Sequence, residues 1–532
     1  MKKFARLRKN LLHPASAGLA ALSALLLMLA FPGFEFWFLA WFALIPLFFA
    51  VEREKDSVVK SFLTGWTFGV VFFFGTCWWL TFAPINYASL PAPLVYFFLF
   101  SACAVVGILP GIFAALFSIL LKKIGSYAIL LAPFLWTCTE FLRMLLTGNN
   151  WNAIGYSQAF KTGTIQLASL GGVYLVGFLV VLCNAYLTFL LTKVAFSANA
   201  ESRMKRRDWI AAAGIFFVMA LLFSAGEFSN SKKLPAANDY VVAVQPNVPM
   251  SGLTIEKYRQ LLERHIQLAE NALKQRATDS GQRTTIIFPE SPMIFQYGRD
   301  ADLRELLRQF ALRNNASVLF NSAEETRDGK QVLNSAVMIN ERGEKIGQYD
   351  KIHLLPFGEY MPLPESIASE MPAFVGNFQF GERYDLLPFG DASGGVMICF
   401  ESHFGELSRE YARRGADVLV EMTNDGYLGN TPVLRQHLAN TVFRAVETNL
   451  PVLRVTNVGI TAYINERGEV LDAADVYGEA TRVWTVSKAG GAETIYVKYG
   501  DWFAWACSIL SLALIIFSLI SAPRRHEAEA QK

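Results

Sequence analysis

The sequence predicts a multi-pass α-helical membrane bundle of eight spans joined to a layered α/β domain outside the cytoplasm, and three observations carry that prediction. Eight long apolar runs punctuate the chain, at roughly 15–32, 36–52, 61–83, 92–121, 126–146, 165–194, 208–227 and 502–521. Lys and Arg gather in alternate connections between them. From Asp239 onward the texture changes to short β-rich runs separated by charged, amphipathic stretches.

Composition agrees with the first observation. A chain of 532 residues that is 53% hydrophobic and 14% aromatic, with positive mean hydropathy, is too apolar for an ordinary soluble protein. Its net charge of +3 is too small to suggest nucleic acid as a partner. Each apolar run is about long enough to cross a bilayer as a helix. The run at 92–121 is interrupted by Pro110-Gly111 and is read as one tilted or kinked span rather than two short pieces. The first run, behind Lys2, Lys3, Arg6, Arg8 and Lys9, has some character of a signal peptide, but further spans follow at once and no small-x-small cleavage site precedes Phe34, so it is read as retained.

The basic residues set the orientation. They lie at the N-terminus, at Arg53, Lys55 and Lys60, at Lys122 and Lys123, at Arg203, Lys205, Arg206 and Arg207, and at Arg524 and Arg525. The intervening connections carry only Lys161, with Arg143 at a membrane edge. The positive-inside tendency then puts both termini in the cytoplasm and residues 228–500 on the opposite face. The expected domains are 1–227 (spans one to seven), 228–500 (extracytoplasmic), 501–522 (eighth span) and 523–532 (a disordered cytoplasmic tail).

Within 228–500, DYVVAVQP, TTIIFPE, ASVLFNSA, GVMICF, ADVLVEMT and VLRVTN read as strands apolar enough to be covered on both faces. Runs at 253–277, 300–313, 404–414 and 431–448 read as helices between them, so the domain is α/β. The sequence shows no repeat, Gly-rich phosphate loop or zinc-spaced Cys/His cluster, and neither cofactor nor metal is expected.

Five of the six cysteines, Cys77, Cys103, Cys138, Cys183 and Cys507, fall in predicted spans, where a thiol packs as a small apolar group. Cys399 stands alone in its domain. It has no partner there for a disulfide, and its spacing leaves two readings open: an inert core thiol or a reactive one. Three motifs at predicted strand ends bear on the choice: FPESP with Glu290, YDKIHLLPFGEYMP with Lys351 and Glu359, and MICFES with Cys399, Phe400 and Glu401. A thiol needs a base to take its proton and a cation to favour the thiolate.

A Glu, a Lys and a Cys in that order, with K-x-H-L-x-P-F-G-E-x-x-P intact, resemble the catalytic triad of the nitrilase superfamily. An α/β domain inserted between a seventh and an eighth span resembles, within it, the apolipoprotein N-acyltransferase family. The likeness extends to GYSQ at Gly155–Gln158 after Trp151 and Asn152, to NDGYLG, to Gln436-His437 and to NVGIT at Asn457–Thr461. The resemblance implies an αββα sandwich, with Glu290 as base, Cys399 as nucleophile, and Lys351 and the Phe400 amide stabilising an oxyanion. Glu359 is expected to position Lys351, to assist proton transfer or to form a structural ion pair with it, and Glu401 to orient a base or a substrate amine. It further implies a ping-pong reaction at the bacterial inner membrane, with the domain periplasmic: acyl transfer from a membrane phospholipid to Cys399, then to the α-amine of an S-diacylglyceryl lipoprotein. The bilayer is then a partner, and a monomer is expected.

The chain departs from the family pattern in three places: PMSGLT at 249–254 lacks a Trp, Phe400 replaces a Tyr, and NDGYLG replaces N-D-A-W-F-G. LPAPLVYF and MPAFVGNFQF (371–380) are read as covers for the site or as ordinary packing. His353 and His437 read as hydrogen-bonded structural residues, having no second His at metal-ligand spacing. Glu140 and Arg143 read as an ion pair on one helix face. Trp78, Trp79 and Trp151 read as interfacial anchors. The rival functions are a membrane-anchored amidase or nitrile hydrolase with water as acceptor, and a transporter or scaffold with an inactive outer domain.

Overall fold

The computed structural model describes residues 12–194, 205–228, 239–275, 283–362, 377–488 and 493–520. The chain divides into two compact units, one drawn from 1–81, 90–229 and 501–532, the other from 82–89 and 230–500.

The first unit is helical: α1 (Pro14–Ala30), α2 (Ile45–Glu54), α3 (Val58–Cys77), α4 (Ala92–Val106), α5 (Ile108–Ile124), α6 (Ala132–Thr147), α7 (Ala168–Val194), α8 (Arg206–Phe228) and a closing helix, Trp502–Ile520. Among the described residues four helical stretches are long and apolar enough to cross a membrane: Val58–Asn86, Ala92–Thr147, Ala168–Lys193 and Trp502–Ile520. These apolar helices make the unit a membrane part. α8 turns Trp209, Ile210, Phe216 and Phe217 outward, and the closing helix does the same with Ile509, Leu512 and Phe517.

Helices approach closely where glycine allows it. A Cβ on Gly65 of α3 would lie 2.2 Å from the Pro110 carbonyl oxygen, and one on Gly69 would lie 2.9 Å from Gly107 Cα. The G-x-x-x-G spacing puts both glycines on one helix face, so the two backbones nearly touch.

Two apolar runs differ in detail from expectation. The run at 92–121 is interrupted at Gly107, not at Pro110-Gly111. Pro110 has no N–H for the carbonyl four residues back, Val106, so α4 ends there and α5 begins at Ile108. The run at 36–52 is no single long helix but a 3₁₀ turn, Trp37–Trp41, followed by the ten-residue α2. Its irregular backbone needs partners away from water. Buried Asn184 of α7 supplies them, accepting from Leu44 N–H at 2.8 Å and donating to Ala40 C=O at 2.8 Å.

The expected Glu140–Arg143 ion pair is not formed. Glu140 instead accepts the Ile154 N–H at 2.8 Å and Arg143 donates to the Trp151 carbonyl at 2.7 Å. Both charges are spent on the loop before the 3₁₀ turn Ile154–Gln158, whose peptide groups are buried and need partners. Trp79 is not an anchor at a surface: it is 6% exposed and packs against Trp151 at 5.6 Å.

The second unit has two sheets. The first runs β13-β1-β2-β3-β4-β5, with β6 beside β4; the second runs β12-β11-β10-β9-β8-β7. Their strands are β1 (Asp239–Gln245), β2 (Thr284–Ile287), β3 (Ser317–Glu325), β4 (Val332–Ile339), β5 (Lys345–Asp350), β6 (Phe378–Gln379), β7 (Leu386–Phe389), β8 (Ala392–Ile398), β9 (Val418–Thr423), β10 (Val452–Thr456), β11 (Ala462–Ile464), β12 (Val470–Leu471) and β13 (Ala480–Val486). β1, β2 and β3 are parallel, as are β8, β9 and β10. These six are the apolar strands read from the sequence.

α9 (Ile255–Gln275) and α10 (Ala301–Asn314) cover the first sheet, closing a core of Val242, Val244, Ile286, Val318 and Val337 with Ile266, Leu307 and Phe310. α11 (Gly405–Arg413) packs on the second, where the Tyr411 ring lies over Gly395. α12 (Val433–Thr448) lies on β10 and is buried on nearly every side, polar residues included. The two sheets meet through β1 and β10, where Gln245 accepts from the Thr456 hydroxyl at 3.1 Å. Helix, sheet, sheet, helix is the layering. Of the expected covering segment 371–380, residues 371–376 lie outside the described residues and Phe378–Gln379 is the edge strand β6.

Replacing Asn184 by Leu keeps the volume and leaves the Leu44 N–H and Ala40 C=O buried without partners, at about 1–3 kcal/mol each. The thermal midpoint of the full-length protein in detergent should fall by several degrees. An unchanged midpoint would mean that the 36–44 backbone does not depend on this side chain.

Candidate active site

Parallel strands at the centre of each sheet bring their carboxyl ends to one edge, where side chains leave the ladder and face a crevice. Glu290 lies three residues beyond β2, and Cys399 directly follows β8. Lys351 directly follows β5, which reaches the same place by two antiparallel turns through β4. The Glu290 carboxylate and the Cys399 thiol lie close enough to act on one another electrostatically, and the Lys351 ammonium feels Glu359, Glu290 and the Cys399 sulfur in turn. The three motif residues are therefore one cluster, built from both sheets.

Cys399 has φ 54°, a left-handed conformation that costs a side-chain-bearing residue about 1–3 kcal/mol. It heads a 3₁₀ turn, Cys399–His403, that throws its half-buried thiol off the end of the strand. Burial pushes that thiol well above the usual range, the Glu290 charge adds to this, and Lys351 opposes it. The sulfur accordingly rests protonated. Burial also raises the Glu290 carboxyl, against the pull of Lys351. A carboxyl so raised is a stronger proton acceptor than one in water.

Lys351 is 1% exposed. Burial works against its charge, but Glu359 and then Glu290 outweigh it, and the ammonium is held more firmly protonated than a free lysine. Both Glu359 oxygens contact Nζ, at 2.8 and 2.7 Å. Glu359 is itself fixed by the Leu355 N–H at 2.7 Å.

Glu401 does not face the thiol. It is fully buried and accepts four hydrogen bonds: from the Tyr349 hydroxyl (2.7 Å), Ile352 N–H (2.7 Å), His353 N–H (3.0 Å) and Ile398 N–H (2.8 Å). Burial raises its pKa to about 7, with Lys351 and the backbone donors pulling the other way. It ties the Lys351 loop to the Cys399 turn, so it orients neither a base nor an amine directly. The Phe400 ring stacks on His403 at 5.5 Å, and its amide belongs to the peptide that begins at Cys399.

Several contributors carried no sequence signal. Asn334 of β4 bridges the two carboxylates, donating to Glu290 at 3.1 Å and to Glu359 at 2.7 Å. Asn321 donates to its Oδ1 at 2.7 Å, which fixes the amide the right way round. The Asn424 N–H, from the NDGYLG run already noted in the sequence, reaches Glu290 at 3.2 Å. Behind Cys399 lies a buried ionic cluster: His437 Nδ1 is 2.7 Å from Asp425, its Nε2 is 3.0 Å from Glu421, and Arg454 pairs with both carboxylates. Asp425 and His437 belong to motifs noted in the sequence, but nothing there joined them to Glu421 and Arg454. His353 stacks on Phe404 at 4.0 Å. No group of His, Cys, Asp and Glu among the described residues is arranged to hold a metal.

Two family models match the chain: the apolipoprotein N-acyltransferase N-terminal domain at residues 23–186 and carbon-nitrogen hydrolase at residues 243–496. An apolipoprotein N-acyltransferase of Geobacter metallireducens is 31% identical over 495 residues, covering 92% of each chain. One from Thermotoga maritima is 29% identical over 522 residues, covering 95% of this chain and 94% of that one. Among solved structures, an amidase from a Nesterenkonia species aligns with TM-score 0.37 at 18% identity, over 52% of this chain and 99% of its own.

The ionic cluster makes stability depend on pH. Burial opposes the His437 charge, but Asp425 outweighs it and the pKa rises from 6.5 to about 9. That contribution is complete below about pH 6.5 and lost as pH climbs through about 9. Glu421 moves the other way: Arg454 and His437 overcome burial and lower it from 4.5 to about 2, so its contribution is lost only as pH falls through that range. The thermal midpoint should therefore decline between pH 6.5 and 9.5, and His437→Gln should flatten the decline. An equally steep alkaline slope in the variant would assign it to other groups.

Proposed function

The chain belongs to the apolipoprotein N-acyltransferase family, and from that premise we propose that it transfers a fatty acyl chain from a membrane phospholipid, through a thioester on Cys399, to the α-amine of an N-terminal S-diacylglyceryl cysteine. The observation that carries the reading is the clustering of the Cys399 thiol with the Glu290 carboxylate and the buried Lys351 ammonium, which Glu359 grips and Asn334 links to Glu290.

The first half-reaction follows from those groups. Glu290 takes the thiol proton as the sulfur lone pair attacks the ester carbonyl carbon and forms the S–C bond. The carbonyl π pair moves onto oxygen, where Lys351 Nζ and the Phe400 N–H stabilise it. On collapse the C=O re-forms and the carbon–oxygen ester bond breaks. The departing oxygen takes the proton from Glu290, and lyso-phospholipid leaves a thioester behind. In the second half the neutral amine attacks that thioester, forming the N–C bond and breaking C–S. Glu290 relays one amine proton to the leaving sulfur, which restores the thiol.

Glu359 and Asn334 act as positioning residues in this scheme. Glu359 keeps Lys351 charged and still, and Asn334 holds Glu290 and Glu359 at fixed separation.

A membrane setting suits such a reaction. Each methylene of an acyl chain favours the bilayer by about 0.8 kcal/mol, so lifting two long chains into water is strongly uphill. We place residues 230–500 on the periplasmic side of the inner membrane. In support, Arg53, Lys55, Lys60, Lys122, Lys123 and the basic start of α8 fall on alternate connections of an eight-span topology. The Glu-Lys-Cys chemistry alone also suits a hydrolase with water as acceptor. Long apolar helices beyond the single anchor a hydrolase would need favour transfer between lipids.

Purified full-length protein incubated with acyl-labelled phospholipid and no acceptor should gain one acyl mass, released by hydroxylamine. Cys399→Ala should gain none, and Glu359→Gln should acylate at least tenfold more slowly, because it loosens the grip on Lys351. A diacylglyceryl peptide should then discharge the label into an amide. Release only as free fatty acid would establish the hydrolase instead, and an adduct persisting in Cys399→Ala would remove the mechanism.

A further inference from the structure

The mechanism above uses the Phe400 N–H but leaves unexplained what aims it. The amide belongs to the Cys399–Phe400 peptide, whose first residue sits in a strained left-handed conformation. A trans peptide points its C=O and N–H in opposite directions, so whatever fixes the carbonyl behind the site also fixes the N–H in front of it.

The Cys399 carbonyl has a specific partner. His437 Nε2, reaching from the buried helix α12, lies 3.0 Å from it. The same nitrogen is 3.0 Å from Glu421 Oε1, while Nδ1 is 2.7 Å from Asp425 Oδ1. Asp425 is also paired with Arg454 at 2.8 Å. Glu421 is paired with Arg454 and accepts the Thr441 hydroxyl at 2.5 Å. Both ring nitrogens thus face acceptors, a carboxylate on one side and a carbonyl with a second carboxylate on the other. Only the doubly protonated ring donates from both nitrogens, to Asp425 and to the Cys399 carbonyl, while Glu421 Oε1 faces Nε2 as a charge partner alone.

The four charges sum to zero. His437 and Arg454 alternate with Asp425 and Glu421 in a closed square, with side-chain exposures of 5%, 0%, 2% and 0%. A square so enclosed is rigid, and one corner touches the nucleophile's own peptide. Accepting from a cation also draws electron density toward the carbonyl oxygen and makes the N–H of that peptide a stronger donor.

We infer that His437 is a positioning residue of the acyl-transfer reaction: its cationic ring, held by Asp425 and Glu421, grips the Cys399 carbonyl and so aims and polarises the Phe400 N–H at the acyl oxygen. The inference deepens the proposed function and rests on its thioester step. A hydrogen bond that strengthens as charge develops on the oxyanion acts on the transition state, so its loss lowers kcat without weakening binding of the donor lipid.

The test is the rate of thioester formation in full-length protein given labelled phosphatidylethanolamine, measured by rapid quench for wild type, His437→Gln and His437→Leu. Gln retains one N–H donor without charge, and Leu fills the space with none. His437→Leu should acylate about 10²–10³-fold more slowly, the loss expected for one oxyanion donor, with the donor KM within about threefold of wild type. His437→Gln should recover at least tenfold of that deficit, which a space-filling role would not produce.

Because a lone deletion unbalances a buried square, Glu421→Gln combined with His437→Leu removes one charge of each sign. This double variant should fold with a near wild-type midpoint and remain slow. Wild-type rates in either Leu-bearing variant, equal rates for Gln and Leu, or a loss confined to KM would overturn the inference and leave the thioester step standing. No thioester in the wild type itself would overturn both.

Discussion

A lysine with almost no exposed surface keeps its charge in the α/β unit because Glu359 grips it with both oxygens, and the site is organised around that grip. Removing either partner of a buried pair strands the other, at about 3–5 kcal/mol. The surrounding groups therefore serve two ends at once. Asn334 and the Leu355 amide donate to Glu359, and the charge of neighbouring Glu290 adds to the field that holds Lys351 protonated. In doing so they also bring a cation, a proton acceptor and a thiol into one low-dielectric corner. There burial keeps the Cys399 sulfur protonated.

The same economy appears behind Cys399. Glu401 spends four hydrogen bonds joining the Lys351 loop to the Cys399 turn. The His437 square spends four charges on rigidity, with one contact reaching the Cys399 carbonyl. Left-handed backbone at Cys399 is stable because both devices leave it no alternative. Strain, polar satisfaction and aim are the consequences of one arrangement.

The helical unit obeys a parallel rule with different means. Away from water each irregular stretch of backbone must find a protein partner. Asn184 serves the 3₁₀ stretch before α2, and Glu140 and Arg143 serve the loop before Ile154–Gln158. These residues would look functional by charge or polarity alone. Their contacts show how polar side chains in an apolar setting answer to backbone demand first.

What the sequence by itself determined was everything carried by local pattern. The six central strands and four long helices of the α/β unit were legible because burial on both faces demands unbroken apolar runs and burial on one face demands helical spacing. Glu290, Lys351, Cys399 and Glu359 were legible because they lie in short motifs at strand ends. What only the tertiary structure decided was pairing at long range. β5 and β13 are antiparallel strands with polar or half-exposed residues, so their composition resembles that of loops, while β4 is a buried strand whose apolar run is broken by Asn334-Ser335. Asn334 was invisible with them, since one asparagine in such a strand has no local signature. The Glu421–Arg454–Asp425–His437 square joins β9, β10, α12 and the turn after β9; Asp425 and His437 lay in noted motifs, but Glu421 and Arg454 read as ordinary polar residues and nothing local joined the four. The physical reason is that a buried charge is defined by its partner, and the partner lies tens of residues away.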